Sequence, residues 1–318
     1  FIGGLTILSG NTNFTIGELI AFLLYTYRLY EPIRQLSMQY GFLQRAMVAG
    51  QRVFKILDTD PEIEFRKTNS NFIYSKGDIE FKNVNFHYKN TDLVLTNINL
   101  QIKHGETIAI VGPTGGGKTS LVSVLTRLYD VTSGDILIDN QNIKTLSQQD
   151  IARNITMIPQ DPFLFSNTIL ENIRYGKTDA TEEEIEKTCK LIGIHNFILK
   201  LPSGYNHFVQ EGGVSLSVGE RQLICLARAL ITNSKIIILD EATSNIDSST
   251  EESISHALNQ IFSEKTVIII AHRLSTAKNA DKINVIENSK ITETGTHDTL
   301  IKQKGTYYNL WENKVTDF

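Results

Sequence analysis

The sequence predicts an α/β protein built around a mostly parallel β-sheet, and three observations carry that prediction. Thr107–Val111 (TIAIV) is a short β-branched run followed at once by the glycine-rich GPTGGGKT of residues 112–119 and by helical spacing over residues 118–128. Residues 236–239 (IIIL) form a second apolar run, the pattern of a strand covered on both faces, and it ends in the carboxylates Asp240 and Glu241. Strand-like and helix-like segments alternate around these two, the order that a parallel sheet with crossover helices requires.

Taken in order, residues 1–10 are apolar and small, 11–15 make a polar turn, and 16–30 are mostly apolar. At a helical rise the last run spans roughly 22 Å, against about 30 Å of hydrocarbon in a bilayer. Extended to Phe42 it is long enough, but it then includes Glu18, Arg28, Glu31 and Arg34. Each charge costs about 2.5–3.5 kcal/mol at mid-bilayer, so hydropathy leaves a buried amphipathic helix and a membrane span equally open. Residues 58–76 are polar, contain Pro61 and lack periodicity, which reads as a linker. Residues 79–87 alternate as a half-buried strand does.

The glycine-rich stretch fits the phosphate-cradling pattern G-x-x-x-x-G-K-[ST], in the strand-to-helix context that the pattern needs. Gly112, Gly115 and Gly117 admit backbone conformations closed to residues with a Cβ, so main-chain N–H groups can approach phosphate. Pro113, Thr114 and Gly116 complete the loop, and Ser120 follows it on a helix whose N-terminus favours an anion. Lys118 is placed to reach the β- and γ-phosphates and the Thr119 hydroxyl to ligate Mg²⁺. Asp240, at the end of a buried strand, is the other Mg²⁺ contact, through water. Glu241 is the candidate general base that polarises an attacking water.

Between Gln160 and Leu216 the pattern turns helical, over residues 168–174, 181–191 with a T-x-x-E cap, and 195–200. Then comes LSVGERQ at residues 216–222, in which Ser217 and Glu220 have the spacing of a capping box that opens a helix over 219–231. A plain N-cap accounts for it. A capped helix start is also an anion site, and Ser217 with the N–H of Gly219 suits a γ-phosphate. The C-terminal HDTLIKQKGTYYNLW is punctuated by Gly295 and Gly305.

Together these motifs resemble the ATP-binding cassette (ABC) ATPases, in which the signature of one protomer closes over nucleotide held by the other. The resemblance runs from Ile79 to the C-terminus and implies a P-loop NTPase fold with a mostly parallel sheet, an antiparallel β part and a helical subdomain at about 160–228. It implies ATP and Mg²⁺ as ligands. It also assigns roles: Tyr88 as the aromatic that stacks on adenine, and Gln160 in MIPQDPFLF as the Mg²⁺- and water-contacting glutamine beside the membrane-domain contact. Ser217, Gly219 and Glu220 fall in the signature, Asp247 in the SNID loop that crosses the dimer, and His272 in IIIAHRLST at the γ-phosphate histidine. Residues 16–37 and 43–63 look like the last transmembrane helix of a bacterial multidrug or lipid exporter and its junction with the ATPase. The implied organisation is 1–57 as the end of the transmembrane domain, 58–77 as linker and 78–318 as nucleotide-binding domain. The implied setting is a multi-pass protein of the cell membrane with its ATPase in the cytoplasm, paired with a second half-transporter.

The signature departs from the family's LSGGQ at Val218 and Glu220, and Asn245-Ile246 replaces Ala-Leu in the cross-dimer loop. A carboxylate at Glu220 repels an incoming phosphate unless it turns back to cap its own helix. With the glycine loop, Glu241 and His272 intact, that pattern resembles the hydrolytic subunit of a heterodimeric exporter, although homodimers tolerate such variants. A soluble ABC-type ATPase working on DNA or ribosomes, or a non-hydrolysing regulatory subunit, are the alternatives. A net charge of −4 over 318 residues supplies no basic field for nucleic acid. Cys189 and Cys225, without metal spacing, fit a reducing compartment. Phe1 is not an initiator, so the sequence looks like the C-terminal piece of a longer chain.

Overall fold

Thr15 opens the first long element as a reciprocal cap: its hydroxyl accepts the Glu18 N–H at 3.3 Å, and the Glu18 carboxylate accepts the Thr15 N–H at 2.8 Å. The computed structural model describes residues 5, 7–8, 15–61, 63, 76–89, 92–240, 265–271 and 274–315. They fall into two compact units, residues 1–64 and 65–318. In the first, helix α1 (Ile16–Leu57) runs unbroken for 42 residues, about 63 Å at the helical rise, and passes through Pro32. The helix continues past Tyr30 as expected, and it takes in residues 43–57 of the junction sequence as well. None of its residues is buried; Phe22, Leu24, Tyr25 and Tyr27 stand exposed on it beside Arg28, Glu31 and Arg34. Among the described residues no helix is long and apolar enough to cross a membrane.

The second unit holds the α/β architecture. An antiparallel sheet has the order β2 (Leu95–Ile102), β1 (Ile79–Phe86), β4 (Ser133–Ile138), β5 (Gln141–Asn142). A six-stranded sheet has the order β12 (Lys290–Gly295), β11 (Lys282–Glu287), β3 (Thr107–Val111), β10 (Thr266–Ile270), β9 (Ile236–Asp240), β6 (Ile155–Ile158). Its pairings are parallel except for the β11–β12 hairpin, so the mostly parallel sheet and the antiparallel part are both present. A short pair, β7 (Asn167–Thr168) and β8 (Phe208–Val209), completes the strands.

Successive residues of the central strands serve opposite faces, as the two-residue period demands. Ile108, Ile110, Ile236, Ile238, Ile268 and Ile270 face one core, shared with helix α2 (Lys118–Leu125) and the antiparallel sheet. Ile237, Leu239 and Val267 face a second core with α4 (Ile169–Arg174), α5 (Glu182–Leu191), α6 (His195–Lys200) and α7 (Val218–Ile231). Between β5 and β6 lies α3 (Gln148–Asn154). Ala109, Val111, Ile283 and Val285 face a third core that includes Leu274 of α8 (Leu274–Ala277), Leu300 of α9 (His297–Gln303) and Tyr307 of α10 (Thr306–Val315). Each of these fully buried isoleucines contributes about 1.5–3 kcal/mol of transfer free energy.

Helix α2 is shorter than its apolar spacing suggests. It stops at Leu125 because Thr126 turns its hydroxyl onto the Val122 carbonyl and Arg127 adopts φ 51°. The buried Arg127 guanidinium then bonds the Leu146 carbonyl and the Asp130 carboxylate.

Candidate functional site

The register of the parallel strands decides what meets at their C-terminal ends. Ile110 of β3 pairs with Ile270 of β10, Ile270 with Asp240 of β9, and Leu239 with Ile158 of β6. The glycine loop leaving β3, Asp240 ending β9 and Gln160 just beyond β6 therefore emerge at one sheet edge. That edge is where ligands bind in open α/β sheets. Glu241, Asp247 and His272 lie outside the described residues.

Close packing forces the glycine loop into its shape. Gly112 has φ 149°, and a Cβ there would lie 2.0 Å from the Ile286 carbonyl oxygen of β11. Gly117, with φ 107°, is the N-cap of α2, where a Cβ would sit 2.8 Å from the Val94 carbonyl. No side chain caps α2, so its first N–H groups face the loop's hollow as an anion site. Pro113, Thr114, Gly115 and Thr119 are exposed along this hollow, while Gly116, Lys118 and Ser120 are buried. The Lys118 ammonium folds over the loop and donates to the carbonyls of Gly112 and Pro113 at 2.8 and 2.9 Å.

Tyr88 stands at the rim. Its hydroxyl and that of Ser120 lie 3.0 Å apart, and its ring meets Phe86 and Tyr129 edge-on at centroid separations of 4.8 and 5.0 Å. Nothing in the sequence singled out Tyr129, which comes from the turn after α2; only the fold brings it to Tyr88.

Ser217 begins α7 in the second core, away from the core that supports the glycine loop. Its hydroxyl accepts the Glu220 N–H at 3.3 Å, and the Glu220 carboxylate accepts the Ser217 N–H at 2.8 Å. The acid therefore does turn back to cap its own helix, and its charge offsets the partial positive charge that an anion would meet there. Gly219, half-buried, leaves the first turn without a side chain. Arg221 steadies the turn before it by donating to the Leu216 carbonyl at 2.6 Å.

Thr119 hydroxyl, Gln160 amide and Asp240 carboxylate are all hard oxygen donors, a set suited to Mg²⁺ carried on phosphate oxygens. Among the described residues no group of three or more His, Cys, Asp or Glu side chains gathers into a cage of its own. Beside Gln160 opens a cleft of about 1000 Å³, lined by Met157, Pro159, Phe163, Tyr175 and Arg228. Phe163 and Tyr175 of its wall are exposed, and Phe165, also exposed, packs against both rings.

Residues 95–244 match the family model described as ABC transporter. An uncharacterized ABC transporter ATP-binding protein of Bacillus subtilis (strain 168) is 41% identical over 98% of this chain and 52% of its own length. An ATP-dependent lipid A-core flippase of Syntrophus aciditrophicus (strain SB) is 42% identical over 98% of this chain and 51% of its own. The chain thus spans about half the length of these curated relatives. Among solved structures, a bacterial Atm1-family ABC exporter with ATP bound superposes with a TM-score of 0.80 at 33% identity, over 98% of this chain and 55% of that one.

Proposed function

Because the chain belongs to the ABC transporter family through its ATP-binding domain, we propose that it is the motor half of an ABC exporter, hydrolysing ATP in a cytoplasmic dimer to drive a substrate across the cell membrane. The observation that carries this reading is the shared sheet edge at which the glycine loop, Asp240 and Gln160 emerge together. Lys118 and the N–H groups of the loop grip the triphosphate, and Tyr88 stacks on its base. Thr119, Gln160 and Asp240 would hold Mg²⁺, which would supply positive charge against that of the phosphates. Glu241 accepts the proton of the attacking water, and His272 contacts the γ-phosphate. Ser217 and Gly219 roof the partner's nucleotide, and Asp247 crosses the same interface. Closure follows because nucleotide touches both protomers only in the closed form, a population shift driven by differential affinity.

The assignment of residues 1–57 to a membrane domain rests on likeness to the exporters, together with the exposed apolar side chains of α1. Helices of the remaining membrane domain would cover the polar positions of α1, and cytosolic loops of that domain fit the aromatic-walled cleft beside Gln160. Residues 58–77 form the linker and 78–318 the nucleotide-binding domain. Likeness to an exporter over nearly the whole chain disfavours a soluble ATPase acting on DNA or ribosomes.

A second reading concerns the partner. The Glu220 carboxylate, bonded back to the Ser217 N–H, offsets the partial positive charge at the start of α7, and a signature weakened in this way favours a heterodimer in which this chain supplies the hydrolytic site and lends its altered signature to a slower one.

Glu241→Gln tests the motor. The variant is expected to bind ATP and remain dimerised in size-exclusion chromatography while turnover drops by at least about a hundredfold. Near-normal hydrolysis would remove Glu241 from its role.

A further inference from the structure

Strand β1 changes face in its middle. Ile79 and Phe81 point into the first core and so do Val84 and Phe86, so the two-residue alternation slips by one position between Phe81 and Val84. The cause is a bulge. Phe81 pairs with Leu100 of β2 and Val84 with Ile98, while Lys82 pairs with Asp135 of β4 and Asn85 with Ser133, so β1 carries one residue more than either neighbour. Within it Asn83 has φ 48°, a left-handed conformation that asparagine adopts more readily than most side chains. A second bulge restores the count: Val84 and Phe86 pair with Ile98 and Leu95, and Asn97 of β2 has φ 50°. Two further asparagines clasp the bulges reciprocally. The Asn85 Oδ1 accepts the Asn97 N–H at 2.8 Å and its Nδ2 donates to the Asn83 carbonyl at 3.1 Å. The Asn99 Oδ1 accepts the Asn83 N–H at 3.0 Å and its Nδ2 donates to the Asn97 carbonyl at 3.1 Å. Each side chain thus satisfies main-chain groups that a bulge removes from the ladder. Asn85 also holds the segment after α2, since its Nδ2 donates to the Ser133 Oγ at 2.9 Å and its carbonyl accepts the Thr132 N–H at 2.9 Å. That segment carries Tyr129, whose ring meets Tyr88.

The slip decides which aromatic reaches the site. Had the alternation of Ile79 and Phe81 continued, His87 would face the core and Tyr88 the solvent. With the bulge in place Tyr88 turns inward to Ser120 and Tyr129, and His87 is exposed. We propose that Asn83, Asn85 and Asn99 are positioning residues of the nucleotide-base site, which select the face of β1 that presents Tyr88 and hold its ring against Tyr129. The inference rests on the stacking role proposed for Tyr88. Among the described residues these asparagines bond to strand backbone and to Ser133, not to the glycine loop. Their loss is therefore felt through the Tyr88 ring and spares the groups that grip phosphate.

The test compares the full chain with its Asn83→Gly, Asn83→Val, Asn85→Ala, Tyr88→Ala and Asn85→Ala/Tyr88→Ala variants. Far-UV circular dichroism and denaturation midpoints identify the variants that fold, and isothermal titration gives Kd for Mg·ATP and for inorganic triphosphate. Asn85→Ala is expected to raise Kd for ATP by about fivefold, the lower end of what a stacked base contributes, and to move Kd for triphosphate by less than about twofold. Asn83→Val, whose branched side chain resists the left-handed region, should lose at least as much ATP affinity. Asn83→Gly accepts that conformation freely and should stay within about twofold of the unmodified chain. In the Tyr88→Ala background Asn85→Ala should cost nothing further, because residues that act through one group are not additive. Where Asn83→Val does not fold, the Asn85→Ala comparison decides by itself. Unchanged ATP affinity in Asn85→Ala, an equal loss for ATP and triphosphate, or a fivefold loss that persists without the Tyr88 ring would each overturn the inference alone. ATP binding by Tyr88→Ala as tight as that of the unmodified chain would instead overturn the stacking role, and this inference with it.

Discussion

The hydroxyls of Tyr88 and Ser120 lie 3.0 Å apart and join the residue proposed to stack on a base to the helix proposed to receive the phosphates. The two are far apart in sequence, and the bond fixes the tyrosine ring relative to the phosphate hollow before any nucleotide arrives. Preorganisation of this kind lowers the ordering cost of binding.

Tyr88→Ala is therefore expected to weaken ATP binding by about 1–3 kcal/mol, the range for loss of a base-stacking aromatic. Tyr88→Phe keeps the ring and removes only the hydroxyl, and should cost less than about 1 kcal/mol. Isothermal titration with ATP and with inorganic triphosphate checks both. A loss of the same size for triphosphate, which has no base, would contradict a stacking role.

Gly112→Ala should destabilise the fold rather than only the site. With φ at 149° and the Ile286 carbonyl 2.0 Å from where a Cβ would go, β11 has to move away from β3. The expected cost is about 3 kcal/mol or more, read as a lowered midpoint in chemical denaturation. Gly115→Ala meets no neighbour within 4 Å and carries only the penalty of its φ of 80°. It is expected to cost about 1 kcal/mol.

Burial pushes the Cys189 thiol up to about 11, and burial raises the Cys225 thiol as well. Both cysteines are free and buried, so neither should react with iodoacetamide at pH 8 unless the protein unfolds. The pH dependence follows in sign. A folded-state value above the unfolded thiol's, about 8.5, means that the unfolded chain loses its proton first. The contribution of Cys189 to stability is then complete below about pH 8.5 and is lost as pH rises toward about 11. Denaturation midpoints should fall over that interval, and Cys189→Ala should flatten the fall. An unchanged slope in that variant would assign the alkaline loss to other groups.

Much of the candidate site was legible because its signals are local. The caps at Thr181 and Ser217 lie three residues from their partner glutamates, so the spacing in the sequence already contains the geometry. The glycine loop is legible for the same reason, since strand, turn and helix follow one another without a break. The end of α2 was less so: apolar spacing continues to Leu128, but Thr126 and Arg127 take up bonds with the preceding turn and with Leu146, and those end the helix. Helix α1 runs longer than its apolar run suggests, because helical hydrogen bonds are local and tolerate Pro32 and the charged positions alike.

The sequence by itself determined the class of sheet, the glycine-rich turn between β3 and α2, and the capped start of α7. These depend on residues within a few positions of one another, where propensity and hydrogen bonding act without the rest of the chain. Tertiary structure decided which of them meet. The strand order that puts β10 between β3 and β9 brings the glycine loop, Asp240 and Gln160 to one edge, and the packing of α4 on α7 lets the Arg228 guanidinium donate to the carbonyl and the Oδ1 of Asn172 at 2.8 Å each. Such pairings join residues tens to more than a hundred positions apart, and their energy comes from burying both faces of the sheet at once, a condition that no short window of sequence expresses.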